Sequence, residues 1–213
     1  RVDSDTIDKL IAKETPAATT TLETGEAEAL SEAFRSQIPQ LEKTEFHVSS
    51  ESLGEDSAPV MITQSEYMRR MKEMAAINAG MSFYGEMPAM YNMVLNHDHP
   101  LIKSVLEAEK QACGSEVAQI DAQIAALDAE KKQLEEAKKG KKEEEVPQAD
   151  KDKLADVEKN LSAERGKKNA VYAGFAAQND TVKQLIDLAL LQNGMLKGEA
   201  LNKFVKRSIS LIK

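Results

Sequence analysis

Thr181-Val182-Lys183-Gln184-Leu185-Ile186-Asp187-Leu188-Ala189-Leu190-Leu191-Gln192-Asn193-Gly194 carries more apolar surface than a helix on one small core requires. At about 100° per residue, Val182, Leu185, Ile186, Ala189 and Leu190 fill one broad arc. Leu188 and Leu191 extend it past half the circumference, whereas a surface helix needs only about a third of its girth apolar. Asp180 is expected to cap this helix, and Asn193-Gly194 to end it. After a linker at Met195–Gly198, a second helix is expected over Glu199–Ile212. It gathers Leu201, Phe204, Val205, Ile209, Leu211 and Ile212 on one face, with its basic residues opposite. Two such helices suit a four-helix bundle completed by a second copy of the chain. The candidate interface is Leu185, Leu188, Ala189, Leu191, Leu201, Phe204, Val205, Ile209 and Ile212. The competing reading is that the surplus packs on the chain's own sheet.

Upstream, residues 115–175 change character. Val117, Ile120, Ile124, Leu127 and Leu134 keep heptad spacing, and Leu154, Val157, Leu161 and Val171 keep it again. Between them lies the breaker Gly140-Lys141-Lys142-Glu143-Glu144-Glu145-Val146-Pro147. Two heptad arms joined by such a turn predict an antiparallel helical hairpin, each arm reaching roughly 30–35 Å. Lys131 and Lys138 fall at seam positions, which predicts loose packing towards the tip.

The first half reads as a small α/β body. Thr24 is expected to cap a helix to Gln37, with Ala29, Leu30, Ala33 and Phe34 inward and Pro39 as the stop. Glu45–Ser50 and Ala58–Thr63 read as two strands paired as a β-hairpin with a long turn. Thr63-Gln64-Ser65-Glu66 fits a capping box ahead of a helix to about Asn78. Tyr91–Leu95 suits a third strand, and Pro100 opens the next helix, where a missing N–H costs nothing. The resulting division is 1–24 as a lead-in and linker and 25–110 as the body, with an amphipathic helix over 64–77. Residues 111–178 form the hairpin and 179–213 the terminal helices.

Eight of the nine methionines lie between Met61 and Met93. Tyr67, Met68, Met71, Met74 and Ala75 form one helical stripe, which is either core or an adaptable binding surface. His97-Asp98-His99 offers no third metal ligand nearby and reads as a capping turn. No phosphate loop or nucleophile signature is present, so an enzyme is not expected.

Composition excludes further classes. The 213-residue chain has a net charge of −8, which disfavours nucleic acid as a partner. Aromatic residues are 4% and tryptophan is absent, so the core must be aliphatic and modest. A single cysteine, Cys113, forbids an internal disulfide and suits a reducing compartment. No apolar run has the length of a membrane span. The chain opens at Arg1 rather than methionine, and the expectation is a piece of a longer protein.

Several stretches together resemble one family. Arg1-Val2-Asp3-Ser4-Asp5, Gln64 to Ala75, Met81-Ser82-Phe83-Tyr84 and Val94-Leu95-Asn96-His97-Asp98-His99-Pro100-Leu101-Ile102 look like successive parts of the C-terminal domain of the HtpG family, the bacterial ninety-kilodalton heat-shock chaperones. Thr181 to Gly194 and Glu199 to Ile212 are similar to its last two helices. The resemblance covers the chain except about 110–178. It implies an α+β fold: a small three-stranded sheet with flanking helices, a helical hairpin insertion, and two terminal helices pairing across a two-fold axis in a homodimer. It also implies that the helix matching 64–77 contacts unfolded client proteins, which makes Tyr67, Met68, Met71 and Met74 the candidate client-binding residues. No cofactor is implied in this fragment, since the parent's ATP site lies in another domain. The implied setting is cytoplasmic, with no nucleic-acid or membrane partner. The alternative class is an interaction scaffold whose hairpin binds a partner protein.

Overall fold

The computed structural model describes residues 22–64, 69–70, 74, 88–139 and 147–211. Helix α1 (Thr24–Gln37) buries Ala29, Leu30, Ala33 and Phe34, the stripe its sequence spacing predicts. Its cap is Glu23 rather than Thr24. The Glu23 carbonyl accepts from the Glu26 and Ala27 amides at 3.0 and 3.1 Å, and the Glu26 carboxylate takes the Glu23 N–H at 3.2 Å. Ile38 is extended, with ψ of 124°, as the residue before a proline must be, and the helix stops there.

Three strands follow: β1 (Thr44–Glu51), β2 (Val60–Thr63) and β3 (Ala89–Asn96). The expected β1–β2 hairpin does not form. The sheet order is β1-β3-β2, with β1 parallel and β2 antiparallel to β3. The reason lies in β3, whose last four residues are all buried and need a neighbour on each edge. Val48, Met93 and Ile62 stand in one row across the sheet, and Ser50, Leu95 and Val60 in the next. Met93 and Leu95 are both fully enclosed. Farther along the same face, the Phe46 and Tyr91 rings stack with centroids 5.8 Å apart.

Helix α2 (Pro100–Lys138) starts where the proline predicts. The His99 carbonyl accepts from the Ile102 and Lys103 amides, and His99 Nδ1 accepts from the Leu101 N–H at 3.1 Å. Its first turns bury Ile102, Val105 and Leu106. Helices α3 (Gln148–Gln178), α4 (Asp180–Gln192) and α5 (Gly198–Leu211) complete the chain. The fold is α+β. Helix α1 packs on β1 and on α4, and α4 packs on β2 and α5. Each fully buried Leu, Ile or Phe in this layer contributes about 1.5–3 kcal/mol.

The chain divides into two compact units, one of residues 1–108 with 176–213 and one over Glu109–Phe175. Within the second unit, α2 and α3 run antiparallel. Asp121 pairs with Lys168 at 2.7 Å, Asp128 with Arg165 at 3.7 Å and Lys131 with Glu158 at 2.9 Å, so rising numbers on one helix meet falling numbers on the other. The seam buries Cys113, Ile120, Val157 and Leu161. Lys131 occupies the seam position expected of it, and its bond to Glu158 holds its ammonium pKa above the usual value. Burial, reinforced by Glu109 and Glu116, pushes the Cys113 thiol up and away from reactivity. Of the breaker at 140–147, residues 140–146 lie outside the described residues.

Candidate functional site

Helix α4 has a finished side and an unfinished one. Asn179, not Asp180, caps it: the Asn179 Oδ1 accepts from the Val182 N–H at 3.1 Å. Val182, Leu185, Ile186, Ala189 and Leu190 are buried by the chain itself. Leu188 and Leu191, the two residues that carry the apolar arc past half the girth, each remain 37% exposed. At the far end, the Gly194 amide donates to Leu191 O and the Met195 amide to Leu190 O, at 3.0 and 2.9 Å. This crossed pair needs a left-handed residue, supplied by Gly194 at φ 68°.

Helix α5 repeats the pattern more openly. Val205 and Ile209 are 46% and 57% exposed, while Leu201 and Phe204 are half-buried. Ile212 lies outside the described residues. Polar bonds are prominent where α5 meets α4. Gln184 Nε2 donates to Ser208 Oγ at 2.5 Å, and both terminal nitrogens of Arg207 donate to Asp187 Oδ2 at 3.2 Å. Burial raises the Asp187 pKa and outweighs the opposing pull of Arg207. The Lys203 hydrogen bond lowers that of Glu199, one turn apart on the surface of α5.

Of the expected interface residues, Leu185 and Ala189 thus lie beneath the surface, 4% and 1% exposed within one chain. Of the other described members, Leu188, Leu191, Val205 and Ile209 are exposed, and Leu201 and Phe204 are half-buried. Helical spacing alone could not separate these two groups, because residues 185 and 189 differ from 188 and 191 only in which way the whole helix is turned.

Met74 is helical and 51% exposed. Tyr67, Met68 and Met71 fall outside the described residues.

The His97-Asp98-His99 turn belongs to a polar clip that sequence reading did not anticipate. Asn96, fully buried, donates from Nδ2 to the Gly54 and Ser57 carbonyls at 2.8 and 3.3 Å. Its Oδ1 accepts from the Leu53 and Asp98 amides, each at 3.2 Å. Asp98 Oδ2 accepts from the Ser52 hydroxyl at 2.6 Å and the Gly54 amide at 3.0 Å. His97 Nδ1 lies 3.0 Å from Ser50 Oγ. The group fastens the loop after β1 to the end of β3. Among the described residues no set of three His, Cys, Asp or Glu side chains is placed to hold a metal, and no helix is long and apolar enough to cross a membrane.

Comparison with known proteins brings these features together. No protein-family model and no solved structure matches the chain. The chaperone protein HtpG of Bacteroides thetaiotaomicron is 57% identical over 212 residues, and that of Bacteroides fragilis 55%. The HtpG of Porphyromonas gingivalis is 44% identical over the same length. Each match covers 100% of this chain, the hairpin included, and 31% of the relative. The chain therefore spans about a third of the length of the curated relatives it matches, and along all of that third it is similar to the HtpG chaperones.

Proposed function

We propose that this chain is the C-terminal dimerisation domain of an ATP-dependent cytoplasmic chaperone. It holds two copies together so that domains elsewhere in the parent can act as a clamp. The observation that carries the reading is the outward apolar set on α4 and α5: Leu188, Leu191, Val205 and Ile209, between 37% and 57% exposed on a single chain. Large side chains grouped on adjacent helices at this exposure lose stability in water and gain it against a matching surface. A second copy supplies that surface with no further protein, and two-fold pairing makes the patch its own complement. Tethering then raises the effective concentration of the parent's other domains for each other. Sedimentation equilibrium should give a dimer, and a chain that stays monomeric at high micromolar concentration overturns the reading.

Client binding is the second part of this proposal. The exposed thioether of Met74 supports a role for the helix expected over 64–77 in contacting unfolded proteins, since flexible methionines adapt to irregular apolar partners. Met71→Ser with Met74→Ser should weaken suppression of aggregation and leave the dimer intact. A variant that unfolds instead identifies the stripe as core.

One observation favours an added role for the hairpin. It forms a compact unit of its own over Glu109–Phe175, as a partner-binding module would. Removing residues 115–175 separates the two ideas. Dimerisation survives if the terminal helices carry it, and capture of a specific partner disappears if the hairpin is the binding element.

A further inference from the structure

Each arm of the hairpin has a glycine in its helical interior near the root. Gly114 stands in α2 shortly after Glu109, where the hairpin unit begins, and Gly174 stands in α3 just before Phe175, where it ends. The pairing of the arms brings the two to one height. Asp121 on α2 meets Lys168 on α3. Gly114 lies seven residues rootward of the first and Gly174 six residues rootward of the second, so the two glycines stand within a turn of each other along the antiparallel helices. Neither glycine is there to make room. A Cβ added at either position meets nothing within 4 Å, and neither has the positive φ that favours glycine. Alanine would fit at both and hold the helix more firmly, because glycine leaves the backbone freer. In α2 the next residue is Ser115, and a Gly-Ser pair is one of the few local causes of a helix kink.

A rod of two packed helices bends only where both yield, since an unbroken helix splints its neighbour. We propose that the hairpin is a swinging arm, hinged at the level of Gly114 and Gly174 and rigid beyond it. Gly166 supplies the contrast. It too has open space around it, but opposite it α2 runs from Asp121 to Lys138 without a glycine, so that level is splinted. The ion pairs Asp121–Lys168, Asp128–Arg165 and Lys131–Glu158 all lie tipward of the hinge and tie the outer arms into one piece. The inference concerns the motion of the arm and does not rest on the hairpin having a partner.

Pulsed electron spin resonance tests it in the full chain with Cys113→Ala. Labels at Ser104→Cys and Ala122→Cys straddle Gly114, and labels at Ala118→Cys and Glu136→Cys span the same eighteen residues of α2 beyond it; all four positions are exposed. A straight helix holds either pair about 27 Å apart on one face. The distance distribution of the first pair should be about twice as wide as that of the second, as a bend at an interior glycine requires. Gly114→Ala with Gly174→Ala should narrow the first pair to match the second. Equal widths in the unsubstituted arm, or a first pair that stays wide in the double variant, overturn the hinge. Gly166→Ala strengthens α3 by the same chemistry and should leave the first pair wide. If it narrows that pair as much as the double variant does, general helix stability sets the width and the hinge is wrong. Amide hydrogen exchange gives a second reading with Cys113 in place. Exchange in the turns around both glycines should slow by about fivefold in the double variant. Unchanged exchange there also overturns the proposal.

Discussion

Two helix pairs in this molecule are amphipathic, and they use their apolar residues in opposite ways. The hairpin of α2 and α3 closes its seam on itself. Among the described residues, not one large hydrophobic side chain between Glu109 and Phe175 is exposed, and the charge pairs Lys131–Glu158 and Asp121–Lys168 tie one arm to the other. The pair α4 and α5 does the reverse. Polar groups, Gln184 with Ser208 and Asp187 with Arg207, help hold the helices to each other, and leucine, valine and isoleucine face outward. Amphipathic periodicity is therefore not what marks an interface, since both pairs have it. What marks it is apolar surface left over after the chain has folded.

The contrast should break most visibly at the outward set. Leu188→Glu combined with Ile209→Glu removes two apolar contacts and puts charge in the seam, and the dimer constant should rise by about a hundredfold or more. Sedimentation reads the effect, and unchanged helical circular dichroism confirms that neither position was core. The hairpin should respond differently to an equal insult. Leu161→Ala opens a cavity in a closed seam and should cost about 2–5 kcal/mol of local stability. Amide hydrogen exchange should show this loss across α3, while the dimer constant stays fixed. A dimer weakened by Leu161→Ala, or a hairpin loosened by the glutamates, would erase the distinction between the two pairs.

The smallest effect sharpens the role of the polar bonds between α4 and α5. Burial raises the folded pKa of Asp187 above its unfolded value. The stability tied to that proton is complete below the ordinary carboxylate range and is lost as pH rises through the raised value. Asp187→Asn keeps the shape without the charge. It should match the parent chain in acid and be slightly the more stable of the two above the raised pKa, as thermal melts across pH would report. A variant clearly less stable at neutral pH would show that the Arg207 pair outweighs burial after all.

Much of the fold was legible where information is local. The inward stripe of α1, a strand over Tyr91–Leu95, the proline start of α2 and the glycine end of α4 each follow from neighbours within a turn or two. Both caps stand one residue before the expected position: at Asn179-Asp180 two cap-competent side chains follow each other and backbone geometry selects the first, whereas at Glu23-Thr24 the cap is made by the Glu23 backbone and the Glu26 carboxylate. Strand pairing failed for a deeper reason. Alternation tells which face of β1 is buried but not which strand lies beside it, and the parallel partner β3 is 45 residues farther on. The candidate interface was legible as an apolar surplus, whereas the Gln184–Ser208 bond between α4 and α5 was not, because a wheel that counts apolar residues passes over both. Neither does any local pattern connect Asn96 to the loop at 53–57.

That last residue has an implication for chemical ageing. Asn96 gives both amide hydrogens to carbonyl oxygens and takes two backbone N–H groups on its own oxygen. Conversion to aspartate would replace the amide nitrogen with an oxygen and set it against the carbonyls of Gly54 and Ser57, at a residue the fold encloses fully. The end of β3 thus reads the difference between an amide and an acid, and a molecule that has lost this one nitrogen should shed the loop long before it loses the sheet.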